Sequence, residues 1–291
     1  MSTTSPAGPN PAIALNDDVT IPQLGFGVFQ VPPEETERVV AEALRAGYRS
    51  IDTATRYGNE EGVGAAVAAS GLAREEIFVT TKLANPDQGY ETTLAAFDAS
   101  MGRLGLDVLD LYLMHWPCPA RGETVNTWRA FEELFRAGRI RSIGVSNFLP
   151  HHFEQLFDAT EVVPSINQIE LHPYFQQPEL RVYHAERGIV TEAYSPIAQG
   201  DCLDDPVITG IADRLGATPA QVVLRWHLQL GTVVIPKSVT PARIAANLGA
   251  LGITLSEDDM TAIEALDRGE DGRRGFHPDR FNGFPEDFAT T

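Results

Sequence analysis

The chain has 291 residues, 43% of them hydrophobic, with 40 acidic against 22 basic side chains and a formal net charge of -18. That content supports a sizeable core and excludes wholesale disorder, while the negative balance opposes non-specific binding to nucleic acid or to an anionic membrane. Cys118 and Cys202 are the only cysteines, which excludes a disulfide scaffold or a cysteine zinc site and suits a reducing compartment.

No apolar run reaches the roughly 20 residues of a membrane helix. The Ser/Thr/Pro/Gly-rich start, Met1 to Pro11, lacks a basic stretch leading into an apolar core, so it reads as a flexible tail rather than a signal peptide. One domain is expected over residues 12–291, in the cytoplasm.

Ala12–Leu15 and Thr20–Pro22 flank Asn16-Asp17-Asp18 and read as a small hairpin. Eight short runs rich in β-branched residues follow: Gly25–Phe29, Tyr48–Asp52, Ile77–Lys82, Val108–Met114, Ile140–Val145, Ser165–Glu170, Ile189–Tyr194 and Val233–Pro236. Helical spacing lies between them. Glu34–Ala46 gathers Val39, Val40, Ala43 and Leu44 on one face; Glu91–Leu104 presents Leu94, Ala95, Phe97 and Met101; Thr127–Ala137 presents Trp128, Phe131, Leu134 and Phe135. Several helices end on glycine, as at Gly47 and Gly105. A last amphipathic helix, Ser256–Leu266, opens with Ser256 and Asp259 as a capping box. The segment from Asp267 to Thr291 is expected to be ordered only where it packs on the body.

Eight strands, each followed by helical pattern, imply a parallel sheet, and eight is the number that closes a (β/α)8 TIM barrel. The hairpin would plug its bottom, and the C-terminal helix and loop would be additions. A doubly wound open sheet is the competitor, but no Gly-x-Gly-x-x-Gly follows the first strand. Gly62-Val-Gly64 comes nearest, and its helical surroundings give it a packing role.

Barrel active sites form at the carboxyl ends of the strands. There this chain places Asp52, Lys82, His115, Ser146, Asn147, Gln168, Tyr194, Ser195, Lys237 and Ser238, with Tyr57 five residues beyond Asp52. A core would not bury such a ring without a reason. A phenol with a pKa near 10 becomes a tunable acid when an ammonium favours its phenolate. Lys82 can supply that charge, Asp52 can hold Lys82, and His115 can donate a hydrogen bond to a substrate oxygen. The set suits an oxygen that becomes an alkoxide, as in carbonyl reduction, which also needs a hydride donor. Lys237, Ser238 and Arg243 lie beside a helix start with Thr240 as N-cap and Pro241 in its first turn, a phosphate site. Asn147 and Gln168 could bind a carboxamide, and Tyr194 offers a face to a flat ring. A metal hydrolase using His115, Glu170 and His172 is a rival, though their spacing is not that of a tight ligand set.

At this point the chain resembles the aldo-keto reductases, over about residues 12–283. The resemblance rests on Gly25-Phe-Gly-Val-Phe29, Asp52-Thr-Ala-Thr-Arg-Tyr-Gly-Asn-Glu60, Thr81-Lys-Leu83, Leu111-Tyr-Leu-Met-His-Trp-Pro117, Gly144-Val-Ser-Asn-Phe148, Asn167-Gln-Ile-Glu-Leu-His-Pro-Tyr174, Tyr194-Ser-Pro196 and Ile235-Pro-Lys-Ser-Val-Thr-Pro241. It is closest to the prokaryotic branch with 2,5-diketo-gluconate reductases. The resemblance implies a barrel that binds NADPH without a Rossmann domain and works as a monomer on small-molecule carbonyl substrates. It implies a catalytic tetrad of Asp52, Tyr57, Lys82 and His115 with Tyr57 as proton donor. It places the nicotinamide amide on Ser146, Asn147 and Gln168, its ring on Tyr194 next to Ser195, the 2′-phosphate on Lys237, Ser238 and Arg243, and adenine on Asn247. Phe29, Trp116 and Phe276 would line the substrate pocket. Ala246 and Phe29 depart from the family, which often has an acidic or amide residue at the first position and tryptophan at the second. A catalytically silent NADPH-binding or structural protein on the same fold is the alternative.

Overall fold

The computed structural model describes residues 9–283. A hairpin comes first, β1 (Ala12–Ala14) antiparallel to β2 (Thr20–Pro22), as expected. Eight parallel strands follow: β3 (Phe26–Gly27), β4 (Ser50–Asp52), β5 (Phe78–Leu83), β6 (Leu109–Met114), β7 (Ile140–Ser146), β8 (Ile166–Glu170), β9 (Val190–Tyr194) and β10 (Val233–Val234). Each pairs with the next in chain order. Leu24 bridges Val234 in parallel, and Val234 N–H donates to Gln23 O, so β10 meets the start of β3 and the barrel closes. The first and last strands are shorter than the sequence pattern suggests. For β10 the cause is Pro236, which has no N–H to extend the ladder.

The helices are α1 (Pro33–Ala46), α2 (Glu60–Ala69), α3 (Tyr90–Leu104), α4 (Thr124–Arg136), α5 (Pro150–Phe157), α6 (Pro178–Ala185), α7 (Pro206–Leu215), α8 (Pro219–Gln229), α9 (Pro241–Asn247) and α10 (Glu257–Glu264). In α1 a proline opens the helix, Glu34 and Glu35 complement the N-terminal dipole, Arg45 sits in the last turn, and Gly47 takes a left-handed cap at φ 117°. Its four predicted apolar residues are all buried. In α3 the buried face is Thr93, Phe97, Ser100, Met101 and Leu104. Ala95, expected there, is exposed, because it falls about 160° around the helix from Phe97. Gly64 has the packing role predicted for it: a Cβ there would sit 2.2 Å from the Leu104 carbonyl oxygen. The capping box of α10 is present, with Asp259 N–H on Ser256 Oγ and Ser256 N–H on Asp259 Oδ2.

The hairpin closes one end of the barrel. Leu15 and Ile21 pack with Phe78, Leu111, Leu113, Ile166 and Val233 from four strands, a plug of apolar side chains. Asn10, inside the segment read as a tail, exchanges hydrogen bonds with the Leu24 backbone; the tail's residues 1–8 lie outside the described residues. At the opposite rim, residues 269–283 cross the barrel mouth. Both carboxylate oxygens of Glu170 hold this segment, accepting from Arg274 N–H and Gly275 N–H at 2.7 Å each. The rest of the expected tail, residues 284–291, lies outside the described residues. Among the described residues no helix is long and apolar enough to cross a membrane.

Candidate active site

Asp52 ends β4, Lys82 is next to last in β5, and His115 directly follows β6. The parallel ladders bring these three ends to one rim. Lys82 is fully buried, so its ammonium has to be paired. It donates to both Asp52 carboxylate oxygens, at 2.6 and 2.8 Å, and to the Thr53 carbonyl at 2.9 Å. Burial works against that charge, but Asp52 and Tyr57 outweigh it and raise the Lys82 pKa. Lys82 is a held cation, not a titrating one.

Tyr57 sits in a single helical turn after β4. Its ring lies 5.1 Å from that of Phe29 and 5.9 Å, edge-on, from that of His115; Lys82 Nζ lies 5.2 Å from its centre. Burial raises the Tyr57 pKa, and Lys82 opposes this by charge and hydrogen bond. The lowered phenol expected from the sequence is therefore not the net result here, because burial outweighs a cation that is already shared with Asp52. The same burial, with Lys82 and Arg56, holds His115 well below the usual histidine range, so it is neutral near pH 7. Its Nδ1 is buried without a hydrogen-bond partner. The four polar residues make a site with one phenolic proton, one fixed cation and one neutral imidazole N–H, which can protonate and polarise a carbonyl oxygen.

The amides beside them are already engaged. Asn147 adopts a left-handed backbone at φ 63°, and Ser195 does so at φ 48°. Such conformations cost energy in non-glycine residues and gather at functional rims. Asn147 Nδ2 donates to His115 O and Ser146 Oγ, both at 3.1 Å, and its Oδ1 accepts from Tyr194 Oη at 2.9 Å. Ser146 Oγ donates to Gln168 O at 2.8 Å. Gln168 Nε2 is tied to Asp52 Oδ2 at 2.8 Å and to Glu192 Oε2 at 2.9 Å. Asn147 and Gln168, read as able to bind a carboxamide, also form a hydrogen-bonded floor that joins β7, β8 and β9 to the Asp52–Lys82 pair.

Lys237 and Arg243 are exposed and, among the described residues, carry no ion pair. Thr240 stands at the N-cap of α9 but makes no side-chain cap bond; its own N–H donates to Ser238 Oγ at 3.2 Å instead. Asn247 ends the helix, half-buried. Ala246 offers only its carbonyl, which accepts from Gln221 Nε2 at 2.7 Å. Two unpaired cations in so acidic a chain, a half-buried Tyr194 ring and the strained Asn147 and Ser195 turns are consistent with a phosphorylated nicotinamide nucleotide lying along this rim.

Of the residues read as an apolar wall, Phe29 stands beside Tyr57, and Trp116 stands beside Phe276. Phe29 is 52% exposed beside Tyr57. Trp116 is buried, with its ring 4.6 Å from Phe281 and 6.4 Å from Phe276. Sequence reasoning named Phe276 but missed Phe281, which only the path of the C-terminal segment brings to Trp116. It also missed Glu192 and the latch role of Glu170. The alternation in Val190–Tyr194 puts Glu192 and Tyr194 on the same face, which was a usable signal. His172 Nε2 contacts Glu170 at 3.0 Å, and His115 does not join them in a ligand set. The one group of possible metal ligands among the described residues is His151, His152 and Asp279. There His152 Nδ1 accepts from Leu149 N–H, so the proton sits on Nε2 and that nitrogen is not a free ligand.

The model of the Aldo/keto reductase family matches residues 23–268. An aldo-keto reductase of Mycolicibacterium smegmatis is 58% identical over 273 residues, covering 94% of this chain and 98% of the relative. One of Mycobacterium tuberculosis is 50% identical over 269 residues, covering 92% and 95%. Among solved structures, a mutant of Gox0644 in complex with NADPH is 51% identical, with a TM-score of 0.91 over 94% of this chain and 99% of that one. The Bombyx mori aldo-keto reductase in complex with NADP is 33% identical, with a TM-score of 0.85 over 98% of each chain.

Proposed function

This chain belongs to the aldo-keto reductase family, and on that footing we propose that it reduces aldehyde or ketone carbonyls to alcohols with NADPH, Tyr57 giving the proton. The observation that carries the reading is the buried Lys82, bound to both oxygens of Asp52 and facing the Tyr57 ring at the mouth of the barrel. A binding protein has no need of a phenol held against a fixed ammonium.

NADPH supplies the hydride. The protein's own residues handle the oxygen. Tyr57 Oη donates its proton to the developing alkoxide while Lys82 offsets the charge left on the phenol. Neutral His115 offers an N–H to the same oxygen. Asp52 keeps Lys82 in place and takes no proton. Ser146, Asn147 and Gln168 hold the nicotinamide carboxamide, and Tyr194 and Ser195 flank its ring. Lys237, Ser238 and Arg243 bind the 2′-phosphate, and Asn247 meets adenine, with one contact fewer at Ala246.

Phe29, Trp116 and Phe276 line an apolar, aromatic pocket, which favours small aldehydes, ketones, dicarbonyls and keto-sugars over carboxylate-bearing substrates. His151, one of the side chains that could have met a carboxylate, is tied to Asp279 at 2.7 Å. Following NADPH absorbance with a panel of aldehydes, α-ketoaldehydes, diketones and sugars tests the proposal. Turnover of at least one class is expected; tight NADPH binding without any turnover favours the silent binder.

A further inference from the structure

Glu192 has no part in the sequence reading or in the proton transfer above, yet its carboxyl is almost wholly buried beside both. It stands on β9 in register with Gln168 on β8, so the two side chains leave the same face of the barrel wall. Its Oε2 accepts from Gln168 Nε2 at 2.9 Å, and its Oε1 is buried with no partner. A carboxyl this poorly satisfied costs stability, and an apolar residue would fill the same place better.

Gln168 explains what the carboxyl does. One amide nitrogen donates to Asp52 and to Glu192, which uses both of its hydrogens. The end of the amide that faces the Asp52 carboxylate has to be the nitrogen, since an oxygen there would crowd acceptors together; burial and Asp52 push the Glu192 carboxyl up to about 7, so Glu192 adds its full share as an acceptor only above that range. Oε1 is thereby turned away from both carboxyl groups. Asp52 alone is a weaker lock, because Lys82 occupies both of its oxygens as well.

We propose that Glu192 is a positioning residue: it locks the Gln168 amide with its oxygen toward the cofactor, so that the site selects the NH2 of the nicotinamide carboxamide. This rests on the reading of Gln168 as a carboxamide contact.

The test compares binding of NADP+ and of its 3-acetylpyridine analogue, which carries CH3 in place of that NH2, by quenching of intrinsic fluorescence. The wild type is expected to prefer NADP+ by about tenfold, the worth of one buried hydrogen bond. In Glu192→Gln the new amide can donate to Gln168 Oε1 and let it turn over. The preference then falls to about two- to threefold, with affinity for the analogue unchanged and the melting temperature close to wild type. Glu192→Leu, which leaves the weaker Asp52 lock and offers no donor to Gln168 Oε1, gives a smaller loss of preference in the same direction should the first variant fold poorly. In a Gln168→Leu background, Glu192→Gln changes the preference no further. Full retention of the preference in both Glu192 variants, or an equal loss for both ligands, overturns the proposal. A wild type without any preference removes the Gln168 reading itself, and this proposal with it.

Discussion

The side-chain amide of Gln168 and the carboxylate of Asp52 meet across the barrel at 2.8 Å, although 116 residues separate them in the chain. Gln168 belongs to the floor proposed for the nicotinamide, and Asp52 holds the lysine behind the proposed proton donor. One hydrogen bond therefore joins the two halves of the site. The halves are expected to respond separately where a substitution leaves that bond intact.

Tyr57→Phe leaves the Lys82–Asp52 pair and the floor in place and removes only the phenolic proton. A fall in kcat on the order of 10²–10⁴ is expected, with NADPH affinity little changed. Steady-state turnover and a fluorescence titration measure the two. Turnover like that of the wild type would overturn the assignment of Tyr57.

Lys237→Met and Arg243→Ala act at the other end. Each removes an exposed cation that has no ion-pair partner among the described residues, so little stability should be lost. Affinity for NADPH is expected to fall much more than that for NADH. Equal losses for the two nucleotides would refute the 2′-phosphate assignment.

Acid should weaken the fold through two histidines buried neutral. Burial lowers the pKa of His184 to about 3, and burial likewise brings His227 to about 3, with the Pro196 carbonyl only partly opposing it. Their unfolded value is near 6.5, so between the two values the unfolded chain binds more protons. Stability is then full above about pH 6.5 and declines as the pH falls toward 3, by about 1.4 kcal/mol per pH unit for each histidine. Urea unfolding at a series of pH values measures the slope. A slope unchanged in His227→Gln would remove that residue from the account.

Gly64→Ala tests the packing of α2 on α3. The added Cβ meets the Leu104 carbonyl at 2.2 Å, backbone that cannot swing aside. A loss of about 1–3 kcal/mol is expected from forced separation of the helices, read as a lower urea midpoint. Gly102→Ala is the control, because nothing lies within 4 Å of a Cβ there.

The eightfold alternation, the plugging hairpin, the face of α1 and the Asp52, Lys82 and His115 strand ends are local properties. They depend on side-chain period and on residues a few positions apart, so the sequence by itself determined them. It also placed Tyr57 in the turn after β4 and Lys237 and Arg243 around α9. Partners across the barrel and net pKa values depend on burial and on contacts between distant strands, and only the tertiary structure decided them. It brought Glu192 to Gln168 and Phe281 to Trp116, and made Glu170 a latch for the C-terminal segment. It also reversed the expected direction for Tyr57: the sequence shows that a cation is available, but the folded barrel sets how much water is lost and with whom the cation is shared.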